Sequence, residues 1–233
     1  MSALQAFAQN IWTVEGPIVW DMGLEFPTRM AVVKLSDGSV WVSSPVPASF
    51  ETLKAITELG SVRYLIAATP RHVWRLEAWH TLFPKAELWI ARPTAVTLRR
   101  GKLPITGILK DTAPEAWADD LEHLVFRGNP LLSEVLFYHR LARTVLLDDL
   151  IQSNPPLEGR IFRNAVFKLA GGLAPQASVG LDMRLTFFDR ELARQSLQRL
   201  LSWDFDKLII AHGACVEDDA KQYLKEAFRW LEK

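Results

Sequence analysis

Three short apolar runs, residues 64–68, 145–147 and 208–211, limit what this chain can fold into. Each is continuous rather than alternating, the pattern of a strand covered on both faces. Each gives way within a few residues to a side chain capable of chemistry: His72, Asp149 and His212. Strand ends are where a sheet gathers side chains distant in sequence into one pocket. The segments between these runs carry helical patterns, so an α/β or mixed sheet with crossover connections is expected.

The flanking sequence fills in the same architecture. Residues 11–15 are rich in β-formers, and Asp37-Gly38 turns the run 29–35 back into Val40-Trp41-Val42, a hairpin signal. Phe50, Leu53, Ile56 and Leu59 share a helix face, with Gly60 as its stop. The spacing predicts a helix over 73–83, closed by Pro84, and a short strand at 88–91. Arg99, Arg100 and Lys102 around Gly101 read as an exposed basic turn, and 107–114 as loop. Strands return at 121–126, 134–138 and 144–147, the last two as a hairpin around Arg140-Leu141-Ala142. After Asn154-Pro155-Pro156 helix dominates: Leu192, Ser196, Leu197, Leu200 and Leu201 share a face. Ala220, Tyr223, Leu224, Ala227, Phe228 and Leu231 make an amphipathic final helix. No linker composition or internal repeat divides the chain, which reads as one domain, 1–233.

Composition narrows the function classes. The 233 residues carry 27 basic and 27 acidic side chains, so nothing favours a nucleic-acid or membrane-surface partner. One cysteine, Cys215, excludes a disulfide framework and a cysteine-based zinc module, and fits a reducing, cytoplasmic setting. No basic-then-apolar leader opens the sequence and no apolar run is long enough to span a bilayer. A soluble chain is expected, with nine tryptophans as its odd entry. Trp74 and Trp79, with Trp89, could line an aromatic pocket or serve as core. Gly171-Gly172 lacks the strand–loop–helix context of a nucleotide site.

The motifs Leu65-Ile66-Ala67-Ala68-Thr69, Phe83-Pro84-Lys85-Ala86, Val145-Leu146-Leu147-Asp148-Asp149-Leu150 and Ile209-Ile210-Ala211-His212-Gly213 occur in a telling order. In that order the chain resembles the metallo-β-lactamase superfamily from about residue 11 to 231. It is most similar to an uncharacterised branch, a domain of unknown function. The resemblance implies a four-layer αββα sandwich with its pocket along one edge of the two sheets. It also implies a loop reading His-x-His-x-Asp-His after the threonine, where this chain has Pro70-Arg71-His72-Val73-Trp74-Arg75. By that match His72, Asp149 and His212 are retained ligand positions, while Trp74 replaces an aspartate and Arg75 a histidine. A further family histidine is replaced within Asn129-Pro130-Leu131-Leu132-Ser133. Trp74 would fill space near one subsite, and the fixed charge of Arg75 would repel a divalent ion.

An intact two-metal centre is therefore not expected. Two readings stay open. The first is a hydrolase-like protein of unknown substrate, acting on esters, lactones or similar compounds, with no metal or at most one zinc, iron or manganese ion at His72, Asp149 and His212. The second is a non-catalytic binding or scaffold protein in which Arg71 or Arg75 replaces metal as countercharge to Asp149, with His212 nearby. Either site would take a small anionic or carbonyl-bearing ligand. Arg71, Trp74, Arg75, His80 and Asp148 are the remaining pocket candidates. His80 lies a little over two helical turns beyond His72 and could share its side. His123 and His139 read as structural.

Overall fold

Gly38 adopts φ 82°, a left-handed conformation that glycine enters without cost. The turn it makes joins Arg29–Lys34 to Val40–Ser43 as antiparallel strands, as the Asp-Gly pair predicts. The structure is a computed structural model describing residues 3–21, 23–93 and 103–232. Its first half runs through β1 (Gln5–Ala8), β2 (Ile11–Glu15), β3 (Val19–Asp21), β4 (Leu24–Phe26), β5 (Arg29–Lys34) and β6 (Val40–Ser43). There follow α1 (Phe50–Leu59), β7 (Val62–Ala67), α2 (Leu76–Leu82), β8 (Glu87–Ile90) and β9 (Ile105–Ile108). The second half adds β10 (Leu121–Phe126), β11 (Glu134–His139), β12 (Thr144–Leu147), α3 (Ile161–Ala170) and α4 (Leu181–Arg184). It ends with α5 (Arg190–Ser202), β13 (Lys207–Ile210) and α6 (Ala220–Phe228). The basic turn at Arg99, Arg100 and Lys102 lies outside the described residues.

One sheet has the order β1-β2-β5-β6-β7-β8-β9 and the other β10-β11-β12-β13, with β3 and β4 as a separate hairpin. Three cores stack the layers. Ile56 on α1 and Leu76 and Trp79 on α2 pack against Val42, Leu65 and Leu88 on the outer face of the first sheet. Trp41, Tyr64 and Ile66 meet Phe137, Leu146 and Ile209 between the sheets. Leu147, Leu208 and Ile210 pack against Leu200 and Leu224 of α5 and α6 on the far side. This is the αββα sandwich that the resemblance implies. Between the sheets the rings meet edge to face, Trp41 on Phe137 at 4.8 Å and Tyr64 on Trp117 at 4.9 Å, a favoured arrangement for aromatic quadrupoles.

Several expectations are corrected here. Helix α2 starts at Leu76 rather than residue 73, because the loop before it is held in turns by bonds such as His72 N–H to the Thr69 carbonyl (3.2 Å). Phe50 is 76% exposed at the first position of α1, so the buried face there belongs to Thr52 and Ile56. Ser49 caps that helix by accepting the Thr52 N–H. Gly107 belongs to β9, not to a loop: a β-carbon there would stand 2.3 Å from the Trp89 ring, so glycine makes room for it. The tryptophans do not form one pocket. Trp79 is buried under the outer face and donates to the Val46 carbonyl at 2.9 Å, whereas Trp89 packs edge-on against Trp117 between the sheets. Among the described residues no helix is long and apolar enough to cross a membrane.

Gly60 ends α1 where the chain presses on the β5–β6 turn. A β-carbon at Gly60 would sit 2.0 Å from the Gly38 carbonyl oxygen, a backbone atom that cannot swing aside. Gly60→Ala should therefore lower stability by about 1–3 kcal/mol, the range of an overpacked core site, as read from urea unfolding; an unchanged midpoint would contradict this packing.

Candidate metal centre

Strands β6 and β7 are parallel neighbours, as are β12 and β13, so four strand ends open on one edge of the sandwich. A backbone bond from Val135 N–H to the Ala68 carbonyl (2.9 Å) ties the two sheets together at this edge. Ser44 follows β6, His72 lies five residues beyond β7, Asp148 and Asp149 follow β12, and His212 follows β13. His72, Asp149 and His212 converge: one donor atom from each lies within 4.8 Å of the others. Nε2 of His72 is 3.1 Å from Nε2 of His212, and Asp149 Oδ1 is 3.4 Å from the first and 3.1 Å from the second.

The other ring nitrogens decide which atoms carry hydrogens. His212 Nδ1 lies 2.7 Å from the Pro27 carbonyl, which can only accept, so Nδ1 is the protonated atom. The Ser44 hydroxyl donates to Asp148 Oδ2 and, at 2.7 Å, receives the Nδ1–H of His72. With both Nδ1 atoms donating, each ring in its neutral form aims an Nε2 lone pair at the same space as the Asp149 oxygen. Three acceptors facing one another without a donor repel unless a cation stands between them. The cluster is nearly buried, and His72 keeps only 12% of its side chain exposed. Burial opposes an imidazolium at His72, but the Asp148 and Asp149 charges outweigh it and hold this ring well above the usual imidazole range. Burial likewise opposes the Asp149 carboxylate, yet His72 and His212 hold it well below the usual carboxylate range.

Further residues build the frame around these three. Thr69 donates its hydroxyl to Asp149 Oδ2 at 2.7 Å and receives the Arg71 N–H. Glu134, fully buried, accepts the Asp148 N–H on one oxygen (2.7 Å) and the Asp149 N–H on the other (3.0 Å), clamping the two aspartates in place. Burial and then the Asp148 and Asp149 charges push Glu134 well above the usual carboxylate range, and the bond from the Asp148 N–H pulls the other way. Arg29 pairs with Glu15 at 2.6 Å and donates to the carbonyls of Ile210 and Gly213, which bracket His212. Gly213 has φ 145°, and a β-carbon there would lie 2.2 Å from the Ser153 oxygen, so only glycine lets the two backbones meet. Ser44 adopts φ 55°, a left-handed conformation costly for a side-chain-bearing residue and here spent on aiming its hydroxyl.

The Arg–Asp–His group of the second reading does not form. Arg71 pairs with Asp21 at 3.2 Å, Arg75 is exposed at the start of α2, and among the described residues Asp149 has no arginine partner. The Thr69 hydroxyl and the two facing imidazoles occupy the space around the Asp149 carboxylate. Trp74 is 60% exposed and does not fill a subsite. His80, in the last turn of α2, is not in the cluster, because His72 lies in the loop before the helix and shares no helix side with it. Asp148 faces the Ser44 hydroxyl and His72 Nδ1 rather than the shared centre. In the segment 129–133, where the resemblance implies another histidine, Asn129 shapes a turn by accepting the Leu131 and Leu132 N–H groups. Sequence reasoning missed Ser44, Glu134, Arg29 and the Pro27 carbonyl. The available signals were slight: a serine pair ending an apolar strand, and an acid opening another.

The family model of a domain of unknown function, DUF4336, matches residues 8–169, a stretch that contains His72 and Asp149 but not His212. No curated protein matches the sequence. Solved structures are similar over almost the whole chain. A metallo-β-lactamase from Pontibacter korlensis covers 100% of both chains at 12% identity, with a TM-score of 0.64. One from Hirschia baltica aligns over 99% of this chain and 97% of its own, at 13% identity and a TM-score of 0.66. The metallo-β-lactamase FIM-1 from Pseudomonas aeruginosa, in a mono-zinc form, aligns over 99% and 95%, at 12% identity and 0.66. At such identities the likeness is one of fold.

The clamp on the aspartates is testable by itself. In Glu134→Gln one of the two backbone donors would face an amide NH₂ in place of an acceptor. The variant should lose about 1–3 kcal/mol of stability, the cost of a buried donor left unpaired, measured by denaturant unfolding.

Proposed function

Because the chain belongs to the DUF4336 family, a domain of unknown function, its chemistry has to be argued from its own residues, and we propose a hydrolase that uses a single metal ion on a small carbonyl-bearing substrate. The observation that carries this reading is the convergence of two imidazole lone pairs and one carboxylate oxygen, 3.1–3.4 Å apart, with both outer ring nitrogens committed elsewhere. Donors that share one ion at about 2.0–2.1 Å stand a little over 3 Å apart, so the residues fit such a group. Imidazole and carboxylate donors suit zinc, iron or manganese.

His72, Asp149 and His212 would hold the ion, which when bound would supply Lewis acidity, acidifying water and polarising a carbonyl. The chain's own groups do the rest. Ser44 and Asp148 hold the His72 ring by Nδ1, the Pro27 carbonyl holds His212, and Thr69 keeps one Asp149 oxygen turned away from the centre. Such outer partners fix ligand orientation and basicity. One ion rather than two is supported by Trp74 and Arg75 and by the histidine-free segment 129–133, where the resemblance implies further ligands. A second reading keeps the protein non-catalytic: a proton on His72, favoured by the two neighbouring aspartates, would fill the centre as an ion-pair plug.

Protein purified without chelator should carry about one equivalent of zinc, iron or manganese by elemental analysis. His72→Ala, Asp149→Ala and His212→Ala should each abolish it, and Trp74→Ala should not. Hydrolysis of simple aryl esters or lactones should vanish with the metal and return on reloading. Folded protein that takes up no metal under any of these ions would instead establish the proton-filled plug. Ser44→Ala and Asp148→Asn should leave the ligands in place yet weaken metal affinity about 10- to 100-fold, by competition with a chelating dye.

A further inference from the structure

A cavity of about 520 Å³ lies among α4, the start of α5, the end of α6 and the turn after it, and none of its lining residues belongs to the metal cluster. That volume is within the range, about 300–1,000 Å³, of pockets that hold small organic ligands. Trp230 forms one wall and is held from behind by an edge contact with Phe187 at 5.3 Å. Its indole N–H is buried and has no acceptor among the described residues. Two guanidiniums flank the ring, Arg184 at 5.8 Å and Arg190 at 5.9 Å from its centroid. Arg184 is anchored by donating to the Val179 carbonyl at 2.9 Å and to the Ser178 hydroxyl.

Charge is lopsided here. Arg184, Arg190 and Arg229 meet a single described carboxylate, Glu226, which already accepts a hydrogen bond from Gln222 at 3.1 Å. Neither Arg190 nor Arg229 has a carboxylate partner among the described residues. The rim is apolar, with Leu181 51% and Leu185 79% exposed. Fixed cations beside an aromatic face and an aliphatic rim are complementary to a ligand with an acidic head and an apolar body.

We propose that this cavity binds a small amphiphilic anion, its carboxylate head between Arg190 and Arg229 and its apolar body over Trp230 and Leu185. The site is independent of the metal reading and stands or falls without it.

Octanoate titrated into the full chain by calorimetry should bind saturably at one site, and neutral octanol distinctly more weakly. Arg190 and Arg229 are exposed, so the double variant Arg190→Gln/Arg229→Gln should fold normally, which circular dichroism checks. It should bind octanoate about tenfold or more weakly while leaving octanol binding unchanged. Lys54→Gln/Arg63→Gln removes the same charge from other exposed positions and should bind octanoate like the parent. Octanoate binding that is absent, no tighter than that of octanol, or equal in the two double variants would overturn the proposal.

Discussion

Face-to-face burial of the two sheets is the constraint from which the rest of the molecule follows. Trp41, Tyr64, Phe137, Leu146 and Ile209 are almost fully buried between them, and at roughly 25 cal/mol per Å² such side chains supply a large share of the stabilisation. Because the packed rings interlock edge to face, the sheets cannot slide without opening voids. With the sheets held so, the ends of β6, β7, β12 and β13 are brought to one edge. The candidate metal centre is a consequence of that alignment.

The same edge shows how ionisable groups are buried at tolerable cost. Asp148, Asp149 and Glu134 lie within a few residues' reach of each other under little solvent, an arrangement that bare Coulomb repulsion would break. Here each acid is met by a donor: Asp149 by the Thr69 hydroxyl, Asp148 by Ser44, and Glu134 by two backbone N–H groups. Arg29 reaches from the first sheet to the carbonyls around His212, so the turn bearing His212 is fastened to the sheet opposite its own strand. Rigidity of this kind fixes the positions of the two imidazoles and the Asp149 carboxylate relative to one another.

Much of this was legible in the chain itself, and the reasons are local. Continuous apolar runs gave β7, β12 and β13, the Asp37-Gly38 pair gave the β5–β6 hairpin, and the 134–147 segment gave β11 and β12 around their turn. His72, Asp149 and His212 could be picked out because each follows a buried strand. What could not be read were contacts whose partners lie far along the chain: Ser44 with Asp148, Pro27 with His212, and Arg29 with the turn at 210–213. The alternative of an arginine beside Asp149 fell for the same cause. Local sequence offered two guanidiniums on the same loop, whereas folding delivered two imidazoles and sent Arg71 to Asp21. Gly107 misled differently, since a glycine chosen for the Trp89 ring looks in sequence like one chosen for a turn.

Sequence alone therefore determined the kind of fold and the short list of groups able to do chemistry. Hydrophobic period and turn chemistry act between near neighbours and leave their mark in the order of residues. Tertiary structure decided everything that depends on direction: that His72 and His212 present Nε2 rather than Nδ1 to Asp149, that Asp148 orients while Asp149 converges, and that Trp74 faces solvent. The physical reason is that lone pairs and N–H bonds act over about 3 Å along fixed axes. Only the packed chain sets such distances between residues 140 positions apart.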